Sequence, residues 1–165
     1  MRVGSGLDIH RLVEGEKLIL AGLEIPAEKG AVGHSDADVL SHAVIDALLG
    51  AVGAGDIGEH FPPDEEEYRD ISSLKLLERA AEILACKGFK VINIDITLVL
   101  KSPRINQHKE TMKSNLAGKL SINKNRINIK ATTSEDLGFV GRKAGIIAQA
   151  QVLVEQLEES SGGGN

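Results

Sequence analysis

Apolar and polar residues alternate most clearly over residues 91–101, where isoleucine or leucine recurs at every second position. A period of two is typical of a strand that buries one face. Shorter apolar runs predict three further strands, over 2–12, 18–23 and 126–132. A glycine-containing turn separates the first two of these, so we expect them to form a hairpin.

Apolar residues at helical spacing predict four helices. The first covers residues 38–52, and the second begins at Ser72 or Ser73 and ends at 87. The third covers residues 105–120, and the fourth runs from about Arg142 to 157. The last helix would carry Ile146, Ile147, Ala150, Leu153, Val154 and Leu157. We therefore expect an α+β fold, a two-layer α/β arrangement with helices on one face of a four-stranded mixed sheet. Residues 1–158 would form one domain, and the glycine-rich segment 159–165 a flexible tail.

The segment before the first helix concentrates polar side chains that could bind a ligand. Ser35 and Asp38 have the spacing of a capping box, which starts a helix. His34 precedes the helix and lies near the positive end of its dipole, where an anion is stabilised. His42 follows Asp38 by one turn and precedes Asp46 by one turn, so either carboxylate could orient its ring. A solvated helix start is the ordinary alternative.

Asp8 and His10 lie on one face of the first predicted strand because they are two residues apart. Together with His42 they could hold an ion with an open fourth position, as in catalytic zinc sites. The same set could bind iron(II) as a facial triad, and ordinary surface residues would also explain the pair. Gly4 and Gly6 would let another backbone approach this strand closely.

Two further loops carry groups that could bind a substrate. Asp56–Gly58 offers a carboxylate and exposed backbone, which suit sugar hydroxyls. Residues 132–135 offer hydroxyls and a carboxylate, which suit phosphates bridged by magnesium. A turn and a strand end are the ordinary alternatives, and His60 and His108 have no evident role.

Composition narrows the range of functions. The net charge of −5 disfavours binding to nucleic acids or to anionic membranes. No apolar run has the length of a membrane span. A single cysteine, Cys86, excludes an internal disulfide and fits a reducing compartment; we expect it to be buried. Because Met1 directly precedes the first strand, we expect a bacterial cytosolic protein, with a plastid protein that has lost a transit peptide as the alternative.

Several motifs, in order and in register from Arg2 to about Leu157, resemble the 2-C-methyl-D-erythritol 2,4-cyclodiphosphate synthases of the non-mevalonate isoprenoid pathway. They are Asp8-Ile9-His10, the segment from Gly33 to His42, Asp56-Ile57-Gly58 with Phe61-Pro62, and the segment from Thr132 to Phe139 with Gly141-Arg142. The resemblance implies a homotrimer of α/β subunits with active sites at the subunit interfaces. The substrate would be 4-diphosphocytidyl-2-C-methyl-D-erythritol 2-phosphate, whose 2-phosphate attacks its own β-phosphate and releases CMP.

The resemblance also implies residue roles. Asp8, His10 and His42 would bind Zn²⁺. Glu135 would help to bind Mg²⁺ or Mn²⁺ on the substrate diphosphate, and His34 and Thr133 would stabilise the charge that develops during transfer. The implied substrate-binding residues are Ser35, Asp56, Ile57, Gly58, Phe61, Asp64, Leu100, Pro103, Arg104, Ile105, Asn106, Thr132, Thr133, Phe139 and Arg142.

Two positions depart from the family pattern. Arg104 stands where lysine is common, and Ala144 where some members have glutamate. The same zinc ligands would also suit a phosphohydrolase that transfers the phosphoryl group to water. A trimeric binding protein with a structural zinc site is the non-enzymatic alternative.

Overall fold

The structure, a computed structural model, describes residues 1–158, and the tail predicted over 159–165 lies outside the described residues. The strands are β1 (Arg2–Glu14), β2 (Leu18–Leu20), β3 (Leu23–Ile25), β4 (Lys29–Ala31), β5 (Phe89–Val99), β6 (Ile127–Thr132) and β7 (Gly145–Gln156). The helices are α1 (Val39–Ala51), α2 (Ile57–His60), α3 (Ser73–Cys86), α4 (Lys109–Leu120) and α5 (Gly138–Gly141). No helix among these residues has the length and apolar character needed to cross a membrane.

The main sheet has five strands in the order β4-β1-β7-β5-β6, not the four that were predicted. It is mixed, as expected, because β5 and β6 are parallel and the other neighbours are antiparallel. The prediction of a helix from about Arg142 to 157 was wrong, since this segment forms β7 at the centre of the sheet. Pairing with β1 on one side and β5 on the other satisfies its backbone groups and outweighs its helix-like spacing.

The predicted hairpin of 2–12 with 18–23 was also wrong. The second segment forms the separate pair β2 and β3, and β1 pairs with β4 instead. Ala21 and Gly22 both have positive φ and close the tight turn between β2 and β3, which splits the apolar run.

Helix α1 begins with Asp38 as its N-cap, so the predicted capping box from Ser35 is wrong. The Asp38 carboxylate accepts a hydrogen bond from Ser41 N at 3.0 Å, and also bonds Ser41 Oγ and Gly22 N. It is fully buried. Ser35 instead lies in the preceding loop, where its hydroxyl is directed to His42.

Gly4 and Gly6 allow α1 to lie directly against β1. A Cβ atom on Gly4 would lie 1.9 Å from the carbonyl oxygen of Ala47, and one on Gly6 would lie 2.0 Å from that of Ala43. These distances are far below van der Waals contact. The close approach that was predicted for the two glycines therefore occurs, and it brings His42, the residue before Ala43, to the strand that carries Asp8.

The opposite face of the sheet is not covered within the described residues. On β1 the side chains of Val3, Leu7 and Ile9 are 70%, 59% and 52% exposed. The core lies on the other face, between the sheet and the helices. Cys86, which was predicted to be buried, is exposed because it lies on the outer side of the last turn of α3.

Candidate active site

Asp8, His10 and His42 converge at one point, two from β1 and one from α1. Asp8 Oδ2 lies 3.0 Å from His10 Nε2 and 3.0 Å from His42 Nδ1. The two ring nitrogens are 3.3 Å apart. All three residues are partly buried, and His10 and His42 line a cavity, so the site keeps an open side.

The triangle of ligand atoms has the size that a tetrahedral metal ion requires. With bonds of about 2.0–2.1 Å, the ligands of a tetrahedral zinc ion lie about 3.3 Å apart. The observed edges of 3.0–3.3 Å match this spacing. Two imidazoles and one carboxylate therefore form a candidate site for a metal ion with a fourth position open to a ligand.

The other ring nitrogen of each histidine has a partner of its own. His10 Nδ1 lies 2.7 Å from the carbonyl oxygen of Val32. Because a carbonyl oxygen can only accept a hydrogen bond, Nδ1 carries the proton and donates it to this bond. On a neutral ring, Nε2 then has a lone pair free for a metal ion. His42 Nε2 lies 2.9 Å from Ser73 Oγ and 3.1 Å from Ser35 Oγ. Such partners fix the orientation of a metal-binding ring.

Asp38 and Asp46 were both predicted as possible orienting partners of His42. Among the described residues, neither carboxylate makes a hydrogen bond to the His42 ring; the Asp38 carbonyl oxygen accepts from His42 N at 3.0 Å, which is a backbone bond and does not orient the imidazole. Asp38 is occupied at the N-terminus of α1, and Asp46 accepts a hydrogen bond from Ile57 N at 2.8 Å. That bond ties α1 to the start of α2, so Asp46 positions the Asp56–Gly58 loop instead.

The charges at the centre favour a cation. Burial opposes ionisation of Asp8, but the hydrogen bonds to His10 and His42 outweigh it, and the pKa of the carboxyl lies well below its usual range. Burial also favours neutral His10, yet the contact with Asp8 prevails and raises the pKa of the imidazole. Protons therefore compete with a metal ion for this site.

A cavity of about 280 Å³ opens beside the three ligands. It collects five of the predicted ligand-binding residues: His34, Ser35, Ile57, Gly58 and Phe61. Asp56 adjoins it as the N-cap of α2, where its carboxylate accepts from Glu59 N at 3.0 Å. Asp64 is exposed and does not line the cavity.

A second cavity, of about 400 Å³, lies between the ends of β5 and β6. Its lining includes seven predicted residues: Leu100, Pro103, Arg104, Ile105, Asn106, Thr132 and Thr133. Lys101 contributes a further cation, which contacts Asp136. The turn at Pro103 contains a cis peptide bond after Ser102.

Glu135 and Thr133 adjoin this second cavity on an exposed loop. Thr133 Oγ1 donates a hydrogen bond to Glu135 Oε1 at 2.7 Å. Phe139 lies on α5 against Gly145, and Arg142 caps the end of that helix with its side chain exposed. The structure thus does not bring Glu135 or Arg142 into the cavity that His10 and His42 line.

Both cavities lie at the same end of the sheet. His10 is paired with Ile146, and Val99 is paired with both Ile147 and Thr132. These residues therefore form a row across the sheet. Because β1 and β6 are three strand spacings apart, His10 and Thr132 are separated by about 14 Å within one subunit.

The sequence was compared with known proteins. The model of the YgbB family matches residues 1–155, which is nearly the whole chain. The chain belongs to the YgbB family.

Two curated relatives of this YgbB chain carry the same name. The 2-C-methyl-D-erythritol 2,4-cyclodiphosphate synthase of Dehalococcoides mccartyi strain CBDB1 is 53% identical over 94% of this chain and 99% of its own length. The protein of that name from Alkaliphilus metalliredigens is 56% identical over 94% of this chain and 98% of its own length.

Solved structures of similar proteins have the same fold. A 2C-methyl-D-erythritol-2,4-cyclodiphosphate synthase described as a CDP-bound form has a TM-score of 0.86 and 36% identity, covering 93% of this chain and 100% of that one. A Plasmodium falciparum protein described as a CDP complex has a TM-score of 0.83 and 31% identity, covering 95% and 97%.

Some residues around the candidate metal ligands of this YgbB chain were not anticipated from the sequence. Tyr68 and Leu76 line the first cavity, and Ser73 bonds His42. The only local signal at Ser73 was that of a helix start. Its partner is 31 residues away, and nothing in the spacing of the sequence indicates their contact.

Proposed function

We propose that this protein converts 4-diphosphocytidyl-2-C-methyl-D-erythritol 2-phosphate into 2-C-methyl-D-erythritol 2,4-cyclodiphosphate and CMP, in the non-mevalonate isoprenoid pathway. The observation that carries the proposal is the Asp8–His10–His42 triangle, open to a cavity in a chain whose close relatives bear this enzyme's name. An oxygen of the 2-phosphate bonds to the β-phosphorus while the bond from that phosphorus to the CMP oxygen breaks. Because no water is consumed, the enzyme is a phosphorus–oxygen lyase.

Asp8, His10 and His42 would hold Zn²⁺, and Glu135 would help to hold Mg²⁺ or Mn²⁺ with the substrate diphosphate. Bound there, the metal ions neutralise phosphate charge and polarise the phosphorus–oxygen bonds. This assignment agrees with the net charge of −5, since a chain that is negative overall binds a polyanionic substrate more readily where bound cations offset its charge. One carboxylate on an exposed loop also suits Mg²⁺, which keeps several waters and takes its other ligands from phosphates.

The chain's own contribution is alignment of the two phosphates, because phosphoryl transfer requires little covalent help. His34 and Ser35 present an imidazole and a hydroxyl at the cavity beside the metal ligands, where they would hold the attacking 2-phosphate. Thr133 would stabilise charge on the diphosphate from the second cavity. No side-chain nucleophile is needed.

The remaining predicted residues would bind the two ends of the substrate. Asp56, Ile57 and Gly58 would hold the erythritol hydroxyls, with Phe61 and Asp64 beside them. The cytidine would occupy the second cavity, together with Phe139 and Arg142. Its lining residues in this role are Leu100, Pro103, Arg104, Ile105, Asn106 and Thr132.

We further propose a homotrimer in which each active site combines the metal cavity of one subunit with the cytidine cavity of its neighbour. The separation of about 14 Å between the two cavities within one chain supports this arrangement. So does the exposed apolar face that includes Val3, Leu7 and Ile9, since such a face is typical of a subunit contact. The bacterial origin of the curated relatives named above supports a bacterial cytosolic enzyme.

Phosphorus NMR of the reaction tests the proposed function. The protein is incubated with the substrate, Zn²⁺ and Mg²⁺, and the expected result is CMP together with two coupled signals from a cyclic diphosphate. CMP together with an open-chain methylerythritol that carries two separate phosphates would indicate the phosphohydrolase instead. An unchanged spectrum from metal-loaded protein would favour the binding protein.

A further inference from the structure

The hydrogen bonds behind His42 extend through Ser73 to Asp36. Ser73 Oγ lies 2.9 Å from His42 Nε2 and also contacts Asp36 Oδ1. The second oxygen of Asp36 accepts from Ser73 N at 3.0 Å. Asp36 therefore holds Ser73 by both its hydroxyl and its amide, and Ser73 touches the ring nitrogen of His42 that faces away from the metal position.

The direction of these hydrogen bonds follows from the number of protons available. A carboxylate can only accept, so the hydroxyl proton of Ser73 must be donated to Asp36. Ser73 Oγ then has only lone pairs to offer His42, and Nε2 must carry the proton. On a neutral ring Nδ1 then keeps its lone pair for the metal position that it shares with Asp8 and His10; its 3.0 Å contact with Asp8 Oδ2 is a hydrogen bond only when Nδ1 also carries a proton.

The local structure holds this chain of bonds in place. Ser73 is the first residue of α3 and is fully buried. Asp36 N donates to the carbonyl oxygen of Ile71 at 3.1 Å, which joins the loop before α1 to the segment before α3. Asp36 Oδ2 accepts from Ser73 N at the start of α3, where the first backbone N–H groups of a helix have no partner within the helix.

We propose that Ser73, held by Asp36, is a positioning residue that fixes the Nε2–H tautomer of His42 and so presents Nδ1 to the metal ion. The inference rests on the metal site in the proposed function and adds Ser73, which lies in none of the motifs, together with a role for Asp36. Ser35 Oγ, 3.1 Å from His42 Nε2, is a second neighbour, but its own proton is not committed to a carboxylate. Ser73 is therefore the partner that determines which nitrogen is protonated.

Zinc affinity of the Ser73→Ala variant is the first test. The variant removes the hydroxyl oxygen that accepts the hydrogen bond from His42 Nε2. We therefore expect it to bind Zn²⁺ about 10- to 100-fold more weakly than the wild type, as measured by competition with a chromogenic chelator. Ser72→Ala is the matched control, because Ser72 is the adjacent residue and makes no side-chain capping bond. The control should bind zinc with unchanged affinity. Equal affinity of the Ser73 variant and the wild type would contradict the inference.

The second test measures the tautomer of His42, first in the wild-type protein and then in the Ser73→Ala variant. Long-range proton–nitrogen NMR of the zinc-loaded protein should show a protonated Nε2 and a metal-bound Nδ1. In metal-free Ser73→Ala at a pH where the ring is neutral, the Nδ1–H tautomer should increase. A metal-bound Nε2, or a metal-free tautomer population that the variant leaves unchanged, would overturn the inference.

The two tests also separate this inference from the proposed function. A wild-type protein that binds no zinc would contradict the metal assignment, while the metal-free tautomer measurement would still decide the role of Ser73. Zinc binding that is normal in both Ser73→Ala and the wild type would leave the proposed reaction intact and remove only the inference.

Discussion

The imidazole of His42 interacts through both of its nitrogens, and the site depends on this. Nδ1 meets Asp8 at 3.0 Å, and Nε2 meets Ser73 at 2.9 Å. The ring is thereby fixed between strand β1 and helix α3, so a metal ion would meet a preformed ligand set. A ligand that is held before binding costs less conformational entropy when the ion arrives.

Removal of this ring tests the metal assignment at the residue scale. His42→Ala deletes one of three ligands, so we expect loss of bound zinc and at least a hundredfold loss of turnover in a protein that remains folded. Elemental analysis and the CMP-release rate measure the two effects. His108→Ala is the control, since His108 lies outside both cavities. A His42→Ala variant that lacks zinc and retains activity would refute the metal's role.

Individual ligands were predictable where the pattern is local. The two-residue spacing of Asp8 and His10 places both on one strand face in any extended conformation. The role of Ser73 was not predictable, because it arises from a contact between the starts of two helices that are far apart in the sequence. The same holds for Asp38, which turned out to cap α1 and anchor Gly22.

At the scale of elements, the distance between α1 and β1 determines whether the ligands meet. Gly4 and Gly6 leave no side chain between the helix and the strand, so backbone atoms of α1 occupy that space. The position of His42 relative to Asp8 is therefore a consequence of two missing Cβ atoms.

Gly6→Ala should separate these elements. The new methyl group would collide with the carbonyl oxygen of Ala43, so we expect a loss of about 1–3 kcal/mol in unfolding free energy. Zinc affinity should fall as well, because His42 moves with the helix. Urea denaturation and chelator competition measure the two effects.

Gly118→Ala is the matched control for this substitution. Gly118 is exposed within α4, and a Cβ there meets nothing within 4 Å. We expect a gain of up to about 1 kcal/mol from helix propensity, with unchanged zinc affinity. If Gly6→Ala behaved like Gly118→Ala, close packing would not be what positions His42.

The one long element that was wrongly predicted is β7, and the reason is physical. Its inward residues alternate from Ile146 to Val154, as a strand requires. Its outward face also carries apolar side chains, at Ile147 and Leu153, and these complete a helix-like spacing. A strand with one polar face would have been recognised. Helices α1, α3 and α4 have single apolar faces or clear boundaries, and the bounds of α1 and α3 were predicted within a few residues. The helix predicted over 105–120 also included the short turn that precedes α4.

At the scale of the whole molecule, one end of the sheet carries all the ligand-binding segments, but in two separate cavities. The candidate metal ligands are on β1 and α1 and the proposed cytidine cavity is at the ends of β5 and β6, with β7 between β1 and β5. Under the proposed function, a substrate that spans both groups of residues would be bound by two subunits. The exposed apolar face of β1 would supply a surface for that contact.

Leu7→Asp tests this arrangement. Leu7 is 59% exposed in the single chain, and its burial in a trimer would contribute about 1.5–3 kcal/mol per subunit. We expect the charged variant to sediment as a monomer and to lose activity, while it retains zinc on ligands from its own chain. Leu157→Asp, at another exposed leucine that lies beyond the last strand, should remain trimeric and active. An active monomer would contradict shared active sites.

The most direct measurement of the central claim is mass spectrometry of the product formed in ¹⁸O-labelled water. The proposed reaction transfers the phosphoryl group to the substrate's own 2-phosphate, so no solvent oxygen enters. We predict a cyclic diphosphate and CMP, both free of ¹⁸O. An open-chain bisphosphate or a CMP that carries one ¹⁸O atom would mean that water is the acceptor, and the protein would then be a hydrolase.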